Sequence, residues 1–187
     1  MRGRSLLFLT ILAIALSATT ASAQTTDAKS WGVTAGFGTG YGTVPKGGTR
    51  TMEPTFNGGV FAVVPFSANW SFQPELRLDK RTINTGGIPT DVTYLTVPVL
   101  LRNKFFGIYM VQGVSINTVM AASIFDVDFK DALNSPDFAI IVGAGKRFDR
   151  WSLEGRWETG LRSFQKDLEL SGVRTRAITA VVSVYFK

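Results

Sequence analysis

Alternation of apolar and polar residues with a period of two is the feature that most constrains the fold of this chain. After Trp70 and after Trp151, every second residue is apolar or neutral and the intervening ones are polar or charged. The first of these segments sets Phe72, Pro74, Leu76 and Leu78 against Gln73, Glu75, Arg77 and Asp79. Because successive side chains of a strand point to opposite faces, this pattern predicts β-strands with two unlike faces.

Repetition of the pattern along the chain predicts the fold class. Eight segments show it, over residues 30–41, 56–66, 70–80, 92–102, 106–118, 137–148, 151–162 and 175–186. Short connections at 67–69, 103–104 and 149–150 alternate with longer ones. Strands of about 9 to 11 residues with this asymmetry are typical of membrane barrels. We therefore predict an all-β, eight-stranded, antiparallel, up-and-down transmembrane β-barrel with both termini in the periplasm.

The first residues have the composition of a secretory signal peptide. Arg2 and Arg4 precede an apolar run from Leu6 to Leu16, and the small residues Ala21 and Ala23 offer a cleavage site. The run is shorter than the roughly 20 residues of a membrane-spanning helix. We predict a signal peptide over residues 1–23 and a barrel domain over residues 24–187, located in the outer membrane of a Gram-negative cell.

Charged residues on one face of the strands predict what fills the barrel. A lipid-facing Arg or Lys costs about 2 to 4 kcal/mol near the midplane, so the charges should face the lumen. An eight-stranded barrel is narrow enough for side chains to fill. We predict a lumen ion-pair network of Glu75, Arg77, Asp79, Arg102, Arg147, Glu154, Arg156, Glu158 and Arg162. A soluble, ligand-carrying barrel would place its apolar face inward instead.

Aromatic residues cluster where the predicted strands end. We expect an aromatic girdle beside the short turns and the termini, formed by Trp31, Phe66, Trp70, Phe105, Phe106, Phe148, Trp151 and Phe186. Tyr41, Phe56, Tyr94 and Phe138 would lie at the other rim. Two prolines, Pro74 and Pro98, fall in mid-strand and each lacks a ladder donor, which predicts a β-bulge or a site solvated from the lumen.

Several motifs together resemble the PorT-like outer-membrane β-barrel family. They are residues 72–76 (FQPEL), 94–102 (YLTVPVLLR), 137–145 (DFAIIVGAG) and the Tyr185-Phe186 ending. Both mid-strand prolines belong to the family pattern. The sequence departs from it at Thr96, where the family often has an inward Glu, and at Lys187, which follows the terminal aromatic. The resemblance implies an integral, porin-like outer-membrane protein without a defined activity.

Residue types in the chain exclude the common catalytic and metal sites. It has no histidine, so neither a Ser-His-Asp triad nor a His-ligated zinc site can form. Tyr41 interrupts the glycine run that starts at Gly36, which argues against a phosphate loop. Asp126, Asp128 and Asp131 lack the spacing of a calcium loop. We predict no enzyme activity, no cofactor and no metal, and the absence of a basic run argues against nucleic-acid binding.

These features favour a structural role in the cell envelope, with a side-chain-filled lumen and extracellular loops available for binding. A narrow pore or an accessory component of transport or secretion is an alternative, and a loop-based binding module for a ligand or lipopolysaccharide is another. Outer-membrane lipid, lipopolysaccharide and the barrel-assembly machinery are the expected partners. The candidate lipopolysaccharide contacts are Lys80, Arg81, Arg174 and Arg176. The specific ligand, conductance, oligomeric state and pathway stay open.

Overall fold

The computed structural model describes residues 29–43, 51–85, 88–124, 127–128, 133, 135–162 and 174–186. The predicted signal peptide over residues 1–23 lies outside them, as do Asp126 and Asp131. Among these described residues, none belongs to a helix long and apolar enough to cross a membrane.

Antiparallel strands account for nearly all of the described chain. Their bounds are β1 Ser30–Thr43, β2 Glu53–Pro65, β3 Trp70–Thr85, β4 Ile88–Phe105, β5 Ile108–Ile124, β6 Val127–Asp128, β7 Asp137–Phe148, β8 Trp151–Gly160 and β9 Arg174–Phe186. Each long strand pairs with its neighbours in sequence, and β1 pairs with β9 to close the ring. The two-residue β6 pairs only with the end of β5. The fold is therefore the predicted eight-stranded up-and-down barrel.

The two ends of the barrel differ in their connections. The turns at 66–69, 106–107 and 149–150 lie at one end, together with the Trp31–Phe186 pair that joins the first and last strands. We call this the short-turn end and the opposite one the loop end. The predicted turn at 103–104 is wrong, because β4 continues to Phe105. Phe106 and Gly107 make the turn with φ values of 47° and 79°, the left-handed conformation of tight hairpins.

On the loop side, the hairpin of β4 and β5 is longer than predicted, at 18 and 17 residues. Its register shifts between Thr93 and Tyr94, where β5 carries one extra residue, Met120. β7 pairs with β5 only up to Asn117. The end of β5 therefore rises beyond the ring of strands and forms one wall of the loop end.

Both mid-strand prolines interrupt a ladder without shifting its register. Pairing between β2 and β3 resumes after Pro74 in the same register, and so does pairing between β3 and β4 after Pro98. The predicted bulge is therefore absent at both prolines. Each proline loses ladder pairing on one side only, since Pro74 still lies opposite Val99 of β4 and Pro98 opposite Ser115 of β5.

The two faces of the wall have opposite chemistry. Leu76, Leu153 and Val182 are 46%, 48% and 45% exposed on the outer wall. Glu75, Arg156 and Glu158 are 4%, 3% and 7% exposed in the interior. These are the faces expected of a barrel in lipid and the reverse of those of a soluble ligand carrier.

Aromatic residues cover the outside of the short-turn end. The predicted girdle residues are all exposed, and three neighbouring pairs are in ring contact: Trp31 with Phe186, Phe105 with Phe106, and Phe148 with Trp151. At the loop end, Phe37 packs on Phe56 on the outer wall. Tyr94 was expected at that rim but is buried, because even-numbered residues of β4 face the lumen.

Candidate functional site

The lower part of the lumen, nearer the short-turn end, is held by Arg156 of β8. Its Nη1 and Nη2 each donate to Glu75 of β3 over 2.7 Å, which makes a bidentate pair across the barrel. Its Nε donates to Glu154 on its own strand. Gln73 Nε2 donates to Glu75 Oε1 over 2.7 Å. Bidentate arginine-carboxylate pairs are among the strongest and most directional hydrogen bonds in proteins.

The upper part of the lumen repeats this bridge with two arginines of β3. Arg77 Nη2 lies 3.1 Å from Asp79 Oδ2 and 3.3 Å from Glu158 Oε2 of β8. Arg81 Nη2 lies 2.8 Å from the same Asp79 oxygen and 2.6 Å from Glu158 Oε1. Arg77 Nη1 is also 3.7 Å from Glu75 Oε2, which links this part to the lower one. The ion-pair network thus runs continuously between β3 and β8.

The prediction that Arg81 contacts lipopolysaccharide is wrong. The strand pattern ended at residue 80 and left Arg81 in a loop, whereas β3 continues to Thr85 and its odd-numbered residues face inward. Arg81 is therefore buried in the ion-pair network and unavailable to lipid. The other three candidates, Lys80, Arg174 and Arg176, lie on the outward phase of β3 and β9.

Small and neutral residues complete the packing around these charges. Thr96 Oγ1 donates to Asp79 Oδ2 over 3.2 Å, so the residue that departs from the PorT-like pattern takes part in the network. Gly143 faces inward on β7, and a Cβ there would lie 3.2 Å from Arg156 Cγ. A larger residue at this position would press on the arginine that holds the lower bridge.

Arg102 is buried in the lumen but lies outside the network. Its Nη1 donates to Tyr185 Oη over 2.8 Å, and its guanidinium stacks 3.4 Å from the centre of the Tyr109 ring. Among the described residues it has no carboxylate within ion-pair distance. The prediction that it joins the ion pairs is wrong, because the strands that face it at this level contribute Tyr109, Tyr185 and Ser152 in place of acids.

Arg147 and Arg162 also lie outside the predicted network. The guanidinium of Arg147 stacks 3.9 Å from the Tyr185 ring centre, and its Nε donates to the carbonyl of Asp149 at the short-turn end. Arg162 follows the end of β8, is exposed, and donates to the carbonyl of Pro136. Their positions near strand ends explain this. Arg147 lies near the end of β7 and faces the mouth of the lumen, whereas Arg162 lies beyond the last residue of β8.

An apolar cluster closes the lumen at the loop end. The loop residue Leu133 packs there among buried side chains of β3, β4 and β5: Ile83, Val92, Tyr94, Val119 and Ala122. Periodicity could not find Leu133, since it belongs to no strand pattern. Tyr94, Tyr109 and Tyr185 lie on the inward phase of β4, β5 and β9, so strand periodicity is the sequence signal that places them in the lumen. The pattern of charged residues alone does not reveal them.

Two cavities open on the barrel, and Arg156 of the ion-pair network is among the residues that line the first. An outer-wall groove of about 640 Å³ runs over Ala144 and Gly155, between Trp70, Met110 and Trp157. A second cavity of about 520 Å³ opens at the short-turn end beside Arg102. In the part of the chain that the structure describes, no group of three or more Asp or Glu residues is placed to hold a metal ion.

Comparison with known proteins identifies the architecture. No protein-family model and no curated protein matches the chain. Among solved structures, Neisserial surface protein A (NspA) superposes with a TM-score of 0.57 at 14% identity, covering 86% of this chain and 100% of that one. Ail, the attachment invasion locus protein of Yersinia pestis, in complex with the heparin analogue sucrose octasulfate, gives 0.54 at 13% identity with the same coverage.

Identities this low concern the fold alone, and the PorT-like resemblance stays a prediction. The closed, antiparallel ring of strands agrees with the fold of these neighbours. The chain therefore has the fold of the small eight-stranded β-barrels of bacterial outer membranes.

Proposed function

We propose that this chain is an integral outer-membrane protein with a closed lumen and a structural role in the cell envelope. The observation that carries the proposal is the continuous ion-pair network between β3 and β8, which fills the middle of the barrel. The residues of this network are nearly inaccessible to solvent. An ion crossing the lumen would have to break several buried, charge-assisted contacts.

Closure is supported at a second level. The apolar cluster around Leu133 lies at the loop end, and the uppermost charges of the network, Arg81 and Glu158, are only 5% and 7% exposed. Charges that are shielded from water in this way keep their mutual attraction better than exposed pairs do. The fold therefore combines an ion-paired middle with an apolar cluster at the loop end.

The same network argues against a catalytic role. Glu75, Glu154 and Glu158 are each bound to at least one guanidinium, and so is Asp79. A general base needs a lone pair that can reach a substrate proton. All four carboxylates are also buried, at 1% to 7% exposure, so a substrate proton does not reach them, which favours a structural over an enzymatic function.

Conductance in planar bilayers tests the closed lumen. We expect no steady single-channel current from the native protein. A variant with Glu75→Ala, Arg77→Ala, Arg81→Ala and Arg156→Ala serves as the positive control, because it removes every ion pair between β3 and β8. Steady currents from the native barrel would contradict the proposal and support the narrow pore.

Cysteine labelling in intact cells tests the membrane location and the orientation. The described residues include no cysteine, and neither does the rest of the chain, so a single engineered thiol is unambiguous. With both termini in the periplasm, an impermeant maleimide should label Thr51→Cys, at the loop end, in intact cells. It should label Asn69→Cys, in a short turn, only after the outer membrane is permeabilised. The reverse result would invert the topology.

We also propose that Lys80, Arg174 and Arg176 contact lipopolysaccharide phosphates. Their support is position: all three lie on the outward phase near the loop end, Lys80 opposite Phe56, and Arg176 and Arg174 opposite Tyr41 and Thr43 at the end of β1. Replacing all three with Gln should reduce the lipopolysaccharide that co-purifies with the barrel. Replacing Arg150, at the short-turn end, should not; equal retention by both variants would refute the contact.

A further inference from the structure

The cavity at the short-turn end is lined by more cations than acids. Arg102, Lys104 and Arg147 contribute three positive charges to its lining, and Asp149 contributes one negative charge. The other residues of the lining are Asn69, Phe105, Phe106, Gly107, Ile108 and Tyr109, of which Phe105 and Phe106 belong to the girdle. We call this the short-turn pocket. Its local excess of positive charge selects for an anionic occupant.

Arg102 is the innermost of these cations. It is only 1% exposed, and its Nε and Nη2 have no hydrogen-bond partner in the described part of the chain. A buried guanidinium without a counter-charge is destabilising, because its desolvation is not offset by an opposite charge. The aromatic rings of Tyr109 and Tyr185 offset part of this cost but accept no hydrogen bond from either nitrogen. The arrangement is therefore incomplete without an anion.

The pocket is also organised before anything binds. Arg102 is fixed by Gln73, Tyr185 and the stacked Tyr109 ring, and Arg147 is fixed by its stacking on Tyr185. Cations held in this way lose little freedom when they bind an anion, which favours affinity. Three converging cations exceed what a single carboxylate needs and suit a phosphate group.

We propose that the short-turn pocket binds a phosphate group through Arg102, Lys104 and Arg147. A volume of about 520 Å³ leaves room for a substituent beyond the phosphate itself. Phe105 and Phe106 at its edge place it, if the membrane location proposed above holds, at the depth of lipid headgroups. The phosphate could belong to an anionic phospholipid or be free, and both sources share the same recognition chemistry.

Thermal unfolding of the full chain in nonionic maltoside micelles provides the test. Inorganic phosphate and, separately, short-chain phosphatidylglycerol are titrated against sodium chloride at equal ionic strength. A ligand that binds the native state raises the unfolding midpoint. We expect at least one probe to raise it beyond the effect of chloride. A response at lower concentration with phosphatidylglycerol assigns the site to a lipid headgroup, and the opposite order assigns it to free phosphate.

Variants connect the response to the pocket. Lys104→Gln combined with Arg147→Gln should weaken the apparent affinity by about tenfold or more, as expected for two lost charged contacts. Arg150→Gln removes an exposed charge from a neighbouring turn, outside the pocket lining, and should respond like the native protein. Arg102→Gln should abolish the response. If that variant fails to fold, the double variant of Lys104 and Arg147 decides. The proposal is overturned if neither phosphate nor phosphatidylglycerol raises the unfolding midpoint beyond the effect of chloride, or if the double variant of Lys104 and Arg147 responds like the native protein. Neither result depends on whether the lumen conducts.

Discussion

Arg156 shows what burial requires of a charge in this lumen. Its guanidinium uses Nη1 and Nη2 for Glu75 and Nε for Glu154, so each of its nitrogens has a carboxylate partner. Desolvating such a group is offset only when geometry and pairing are this complete. Arg102, stacked on tyrosines at the short-turn end, satisfies the same requirement only in part.

Removing Arg156 should therefore strongly destabilise the barrel. Arg156→Gln leaves Glu75 and Glu154 buried without their main partner, and we expect a loss of about 3 to 5 kcal/mol in the free energy of unfolding. Urea titration in detergent micelles, followed by circular dichroism, measures it. Arg150→Gln, at an exposed turn, should change the same quantity by less than about 0.5 kcal/mol.

Coupling within the network provides a second check at this scale. Adding Glu75→Gln and Glu154→Gln to Arg156→Gln removes the carboxylates that the single change leaves unpaired. The triple variant should recover part of the lost stability, which additive effects would not produce. A triple variant less stable than the single one would show that the carboxylates do not depend on Arg156.

At the scale of the strand, β7 and β8 present two glycines to opposite sides of one thin region of wall. Gly143 lies opposite Arg156 and faces the lumen, whereas Gly155 lies opposite Ala144 and faces outward. A Cβ on Gly143 would come within 2.5 Å of the Gly155 carbonyl oxygen, while one on Gly155 would meet nothing within 4 Å. The close approach of the β8 backbone therefore requires glycine at position 143, whereas no neighbouring atom requires it at position 155.

Replacing each glycine with alanine should therefore have different effects on stability. Gly143→Ala requires the backbone of β8 to move, and we expect it to cost about 1 to 3 kcal/mol of unfolding free energy. Gly155→Ala fits the outer groove and should be neutral or stabilise by up to about 1 kcal/mol. Urea unfolding of the two variants side by side checks this, and equal effects would refute the assigned faces.

Strand periodicity predicted most of this architecture but not its contacts. The pleat makes side chains alternate, so Glu75, Arg77 and Glu158 could be assigned to the lumen from their positions alone. The strand ends were less predictable: β3 passes residue 80 and carries Arg81 inward. Which inward residues meet across the lumen depends on the stagger of the strands, so the partners of Arg102 and the burial of Leu133 could not be read from a repeat.

At the scale of the whole molecule, closure between β1 and β9 leaves the barrel without a free edge. Every long strand has two neighbours, so the wall can pair its backbone groups without help from water. The ring then separates two environments, with ions inside and apolar side chains outside. The aromatic girdle marks one boundary of the apolar surface, and the Phe37–Phe56 contact lies toward the other.

If the outer wall lies in lipid, the cost of a charge there must depend on its depth. Leu76 is an exposed residue of the outer wall in the middle of β3, and Leu161 is an equally exposed leucine just beyond the loop-end terminus of β8. Leu76→Arg should reduce the free energy of folding into lipid vesicles by about 2 to 4 kcal/mol, and Leu161→Arg by about 0 to 1 kcal/mol. Urea-dependent folding into phosphatidylcholine vesicles, read from tryptophan fluorescence, gives both values. The substitution is chemically the same at both positions, so equal costs would mean that the outer wall does not face hydrocarbon.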